Sequence, residues 1–122
     1  LCTKVWKLCT KPGGSVVKYV FDIDGTICTT TEGDYSKASP YERRIRHIND
    51  LFERGNEIVF YTARGMGRTK DDPVTATKLF YDFTREQLNS WGVKYHSLFL
   101  GKPSGDIYID DKGANHDAYF SE

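Results

Sequence analysis

Two carboxylates, one residue apart, end the first long apolar run of the chain: Val16-Val17-Lys18-Tyr19-Val20-Phe21 leads into Asp22-Ile23-Asp24-Gly25-Thr26. The β-branched and aromatic run has the composition of a buried strand. Alternate side chains of a strand share a face, so Asp22 and Asp24 point the same way while the backbone stays extended. Gly25 permits a sharp turn directly after them. Two acids at the end of a core strand are costly unless something positive neutralises them. A divalent metal does so, and clustered carboxylate oxygens suit Mg²⁺. Taken alone, the same residues also describe an Asx turn that ends a strand, with Asp24-Gly25 as the turn pair.

The remainder alternates strand and helix. Cys28 to Lys37 reads as a small flap beside the carboxylates. Ser39-Pro40-Tyr41-Glu42 reads as N-cap, first helical residue and capping box of a helix. Ile45, Ile48, Leu51 and Phe52 give it an apolar stripe, and Gly55-Asn56 stops it. Arg43, Arg44, Arg46 and Arg54 lie between the apolar positions and read as a solvated face. Residues 57–61 form a second strand, which delivers Thr62-Ala63-Arg64-Gly65 at its end. Asp72 and Pro73 cap and open a second helix with the stripe Phe80, Phe83, Leu88 and Trp91, closed by Gly92. Residues 93–100 hold a third strand, stopped by Gly101-Lys102-Pro103. Asp106-Ile107-Tyr108-Ile109 reads as a short fourth strand ending at Asp110-Asp111-Lys112, and residues 115–120 as a last helical turn. The alternation predicts an α/β fold with a mostly parallel sheet and helices on both of its faces. In such sheets the ligand site lies outside the carboxyl ends of the strands.

At 122 residues the chain is long enough for one domain with a real core. We expect residues 1–15, with Lys4, Lys7, Lys11 and Pro12-Gly13-Gly14, to be a basic tail or linker and residues 16–122 to be the domain. The 17 basic and 17 acidic residues balance, which argues against nucleic-acid or membrane partners. No apolar run approaches the ~20 residues that span a bilayer. The lysines and proline of residues 1–15 do not read as a signal peptide. Cys2, Cys9 and Cys28 form no C-x-x-C pair, so free thiols and a cytoplasmic location are expected. The start at Leu1 suggests a trimmed chain or a piece of a longer protein, which leaves a fusion partner or a homo-oligomer open.

Four strand ends therefore carry Asp22 and Asp24, Thr62 and Arg64, Lys102, and Asp110 with Asp111. That set fits phosphoryl transfer. Carboxylates hold Mg²⁺, and the metal and Lys102 offset charge on the transferring group. Thr62 can donate to a phosphate oxygen. Asp22 can attack phosphorus, and Asp24 can protonate the leaving oxygen and then deprotonate water. Arg64 suits a substrate contact or a surface ion pair equally. His47, His96 and His116 lack ligand spacing and read as structural or solvent-facing.

In order, Asp22-Ile23-Asp24-Gly25-Thr26, Thr62, Lys102 and Asp110-Asp111 resemble the four motifs of the haloacid dehalogenase superfamily, in the form its phosphatases carry. The resemblance covers residues 16–120. Tyr61-Thr62-Ala63-Arg64, Gly101-Lys102-Pro103 and Tyr108-Ile109-Asp110-Asp111-Lys112 look more narrowly like a small group associated with capsule and lipopolysaccharide biosynthesis. It implies a three-layer Rossmann-like core, Asp22 as nucleophile, Asp24 as acid/base, and Mg²⁺ held by Asp22, Asp24, Asp110 and Asp111. It implies phosphate orientation by Thr62 and Lys102, with Gly25 and Thr26 in the substrate-binding set; Arg64 lies outside the motifs and enters that set as our own expectation. Both inter-motif gaps are too short for a cap domain, so an open site and a phosphorylated sugar or polysaccharide precursor are expected. A polynucleotide or protein phosphatase, or a non-catalytic phosphate-binding module of a larger biosynthetic protein, are the alternatives.

Overall fold

Phe21 and Phe60 sit directly opposite each other on neighbouring parallel strands, and the whole sheet follows from that register. The structure is a computed structural model and describes residues 16–121. The expected tail over residues 1–15 lies outside the described residues. Strands β1 (Lys18–Phe21), β2 (Glu57–Thr62) and β3 (Ser97–Leu100) form a parallel sheet in the order β1-β2-β3. Helix α1 (Glu42–Glu53) links β1 to β2, helix α2 (Pro73–Ser90) links β2 to β3, and a short helix α3 (His116–Phe120) ends the described chain. The α/β class, the parallel sheet and the absence of a cap domain among the described residues agree with the sequence.

Right-handed crossovers that step in one direction along a sheet deposit their helices on one face. Tyr19, Phe21, Ile58, Phe60, Leu98 and Leu100 alternate onto that face and join Ile45, Ile48, Leu51 and Leu88 in a single core. The opposite face shows Val20, Tyr61 and Phe99 to solvent. Helix α3 packs against the same core: Tyr119 and Phe120 meet Phe21 at ring-centroid distances of 6.0 and 6.1 Å.

Local signals coincide with the structure at the start of α2 and at β3 and depart from it at the start of α1 and at the fourth strand. Asp72 caps α2, accepting from the amides of Val74 and Thr75, with Pro73 at the first helical position. Within α2 the buried positions are Ala76, Thr84 and Leu88, while Phe83 of the expected stripe is exposed. Helix α1 begins at Glu42 after Tyr41, with no side-chain cap, rather than at Ser39-Pro40. The backbone there is already committed: Ser39 exchanges hydrogen bonds with Thr29, and Pro40 bridges Cys28. The expected fourth strand does not form. Ile107 and Ile109 are 78% and 94% exposed. Tyr108 folds the segment onto itself, donating to the Pro103 carbonyl at 2.7 Å and accepting from the Gly105 amide at 2.9 Å.

Ile48 is wholly buried at the centre of the core. Ile48→Ala removes its packing and leaves a cavity, so it should destabilise the domain by about 2–5 kcal/mol. Chemical denaturation of the variant against the parent measures this.

Candidate functional site

Parallel strands end on one side, so β1, β2 and β3 bring Asp22, Thr62 and Lys102 to the same edge of the sheet. Thr62 pairs with Leu100, and the Lys102 amide donates to the Thr62 carbonyl at 3.2 Å, which seats Lys102 beside the end of β2. Its ammonium stands 3.9 Å from Asp22 Oδ1 and 4.2 Å from the centre of the Tyr108 ring. Asp22, Asp24, Thr62, Ala63 and Arg64 line a cleft of ≈ 230 Å³, closed on its other side by the flap residues Thr30, Thr31, Glu32, Gly33 and Tyr35. The flap expected beside the carboxylates forms a wall of this cleft.

Burial pushes the Asp22 carboxyl above the ordinary aspartate range; Lys102 and a hydrogen bond from the Ile23 backbone pull it back, and Asp24 adds to the rise. Thr62 is buried, and its hydroxyl oxygen accepts from the Arg64 amide at 3.1 Å, so its proton remains available to a ligand oxygen. Cys28 is buried and packs as a small apolar residue. Burial, with Asp24 beside it, pushes its thiol up to about 12, so the thiolate does not form near neutrality.

Arg64 is neither a surface ion pair nor an exposed substrate contact. Its side chain is wholly buried and forks onto Asp24, Nε to Oδ2 at 2.8 Å and Nη2 to Oδ1 at 2.9 Å. Nη1 donates to Thr84 Oγ1 at 3.3 Å, and the guanidinium lies 4.7 Å from the Tyr35 ring centre. Losing either partner of such a pair costs about 3–5 kcal/mol, because a buried charge is left unmatched.

The remaining predicted residues separate from this cluster. The amides of Gly25 and Thr26 donate within their own turn, to the carbonyls of Cys28 and Ile23. Gly25 lines a second cavity of ≈ 330 Å³ with Tyr41, Glu42, Arg43, Arg44, His116 and Asp117. Asp110 accepts from the Lys112 amide, and both Asp110 and Asp111 are exposed and outside the cleft lining. Among the described residues no group of three or more His, Cys, Asp or Glu side chains is arranged to hold a metal ion. The arrangement therefore does not fit the four-residue Mg²⁺ set implied by the resemblance. The physical reason is the missing fourth strand, whose register would have set where Asp110 and Asp111 stand.

Two participants were missed. Arg44 is buried, not solvated: it donates to the Thr26 carbonyl at 2.9 Å and pairs with Asp117 at 2.9 Å, with His116 Nδ1 at 3.0 Å. The signal was its spacing, since Arg44, Ile48 and Leu51 share one stripe of α1. Thr84 carried no signal beyond lying one residue past Phe83.

No protein-family profile and no curated protein matches the chain. A crystal structure of a structural-genomics target from Vibrio cholerae is similar at 26% sequence identity and a TM-score of 0.80. The match covers 88% of this chain and 89% of that one. This likeness supports the α/β fold and carries no statement about activity.

The raised Asp22 value has a consequence for stability. The folded chain holds that proton more tightly than the unfolded one, so stability falls as pH rises from the ordinary aspartate value through the folded one. Asp22→Asn removes the buried charge. Its thermal midpoint should exceed the parent's at neutral pH, and the gap should close below about pH 3.9, where the unfolded carboxyl is protonated too. Melts of both proteins across acidic and neutral pH check this.

Proposed function

We propose that this domain hydrolyses phosphomonoesters through an aspartyl-phosphate intermediate on Asp22. The observation that carries the reading is the convergence of Asp22, Asp24, Thr62 and Lys102 at the carboxyl ends of three parallel strands. Its support is positional, because open α/β sheets bind ligands at this edge.

In the first step an Asp22 oxygen attacks phosphorus, the bond from phosphorus to the leaving oxygen breaks, and Asp24 delivers a proton to that oxygen. In the second step water attacks the aspartyl-phosphate and Asp24 takes its proton. The bond from phosphorus to the Asp22 oxygen then breaks, releasing inorganic phosphate and restoring the carboxylate. Thr62 donates to a non-bridging oxygen, and Lys102 offsets charge beside Asp22. Mg²⁺ belongs to the proposal through the resemblance alone; Asp22 stands at the cleft, and Asp110 and Asp111 do not. The substrate class, a phosphorylated sugar or polysaccharide precursor, rests on the same resemblance. The cleft's polar wall, the hydroxyls of Thr30 and Thr31 with the Glu32 carboxylate, suits a hydroxylated leaving group.

Phosphate release from p-nitrophenyl phosphate, hexose phosphates and a 5′-phosphorylated oligonucleotide tests the reading, with Mg²⁺ and with chelator. The expected result is turnover in the parent that Asp22→Asn reduces by at least a hundredfold, with hexose phosphates preferred to the oligonucleotide. Oligonucleotide preference overturns the substrate class. No turnover on any ester, with Mg²⁺ present, favours a binding module.

A further inference from the structure

We propose that Arg64 is a positioning residue for Asp24, fixing the one carboxylate oxygen through which its proton moves; the proposal rests on the phosphatase reading. The guanidinium fork is planar and bidentate, so it sets both the direction and the rotation of the Asp24 carboxylate. The two oxygens are then unlike. Oδ1 carries Arg64 Nη2 at 2.9 Å and the Cys28 thiol at 3.6 Å. Among the described residues Oδ2 carries only Arg64 Nε, at 2.8 Å. Oδ2 is the oxygen with capacity left to give a proton to the leaving group and to take one from water.

Arg64 is itself held by two further groups. Thr84 of α2 accepts from Nη1, and the Tyr35 ring covers the guanidinium. Tyr35 is fixed in turn, its hydroxyl accepting from the Gly65 amide at 2.9 Å and its carbonyl accepting from Gln87 Nε2 at 2.8 Å. Gly65 has no room for a side chain: a Cβ there would lie 2.6 Å from the Phe80 ring. The flap, the end of β2 and α2 therefore converge on one cation whose charge is matched by Asp24. A residue that merely touched substrate would not need this shell.

A proton delivered by Asp24 matters for an alkyl phosphate, whose alkoxide leaves poorly, and little for p-nitrophenyl phosphate, whose phenolate leaves unaided. For Arg64→Lys and Arg64→Gln the expected result is a kcat loss on a hexose phosphate at least tenfold larger than on the aryl ester. KM should stay within twofold on both, and Lys should retain more activity than Gln. Thr84→Val, which removes only the hydroxyl that accepts from Nη1, should shift the same ratio in the same direction, and it serves where Arg64→Gln does not fold. Equal kcat losses on both esters, or a KM rise on both, overturns the proposal in favour of a structural role or a phosphate contact. Urea unfolding of Asp24→Asn, Arg64→Gln and the double variant is read without activity. Non-additive midpoints support the ion pair, and additive ones overturn it. A parent inactive on both esters, with a coupled cycle, overturns the phosphatase reading and the catalytic sense of the proposal, while the pair itself stands.

Discussion

A buried guanidinium sits at the centre of this molecule's polar edge, and its neutralisation by Asp24 constrains everything around it. Arg64 is only 1% exposed, so its charge has no access to water. An isolated ion in that position would be prohibitively costly, and the pair survives because the fork is bidentate and the other donors find Thr84 and the Tyr35 ring. The end of β1 cannot shift relative to the end of β2 without breaking it. The flap cannot lift without uncovering it. The sheet register and the cleft wall are thus set by the same interaction.

A second buried arginine repeats this logic on the far side of the acidic turn. Arg44 ties α1 to the Thr26 carbonyl and to Asp117, and its guanidinium lies 4.7 Å from the Phe120 ring centre. The turn that presents Asp22 and Asp24 is therefore clamped from both sides by cations. Its own backbone closes the loop, with Gly25 at a φ of 83° bonded to Cys28. Rigidity at this point suits the in-line attack proposed for the Asp22 carboxylate.

Elements defined by their own residues were legible in the sequence. Asp72-Pro73 caps α2 through its own side chain and ring, and the apolar runs over 18–21, 57–62 and 97–100 pair because their faces alternate correctly. Elements decided by distant partners were not. Ser39 is a good cap residue, yet Thr29 takes its backbone into a bridge first. Asp106 to Ile109 has strand composition, yet Tyr108 closes the segment on Pro103 and Gly105 and leaves it outside the sheet. Three of the acids and cations named from the strand ends, Asp22, Asp24 and Arg64, meet at the cleft, with Lys102 beside them. That convergence follows from strand direction alone. The pairing of Arg64 with Asp24 does not, because sequence spacing says nothing about which cation turns inward.

The charge balance at the cleft is set without Asp110 and Asp111. Asp22, Asp24 and Glu32 stand there against Arg64 and Lys102, an excess of acid before any ligand arrives. Arg64 is already spent on Asp24, and Lys102 is shared between Asp22 and the face of Tyr108. A phosphate dianion entering this site would add to the excess, and burial would magnify the repulsion. The proposed chemistry therefore calls for further positive charge at the edge of the sheet. A divalent cation is the species that supplies it without another side chain. The carboxylates that face the cleft are Asp22, Asp24 and Glu32, and with Asp110 and Asp111 exposed outside it the balance of charge at this edge is set by those three acids and the two cations beside them.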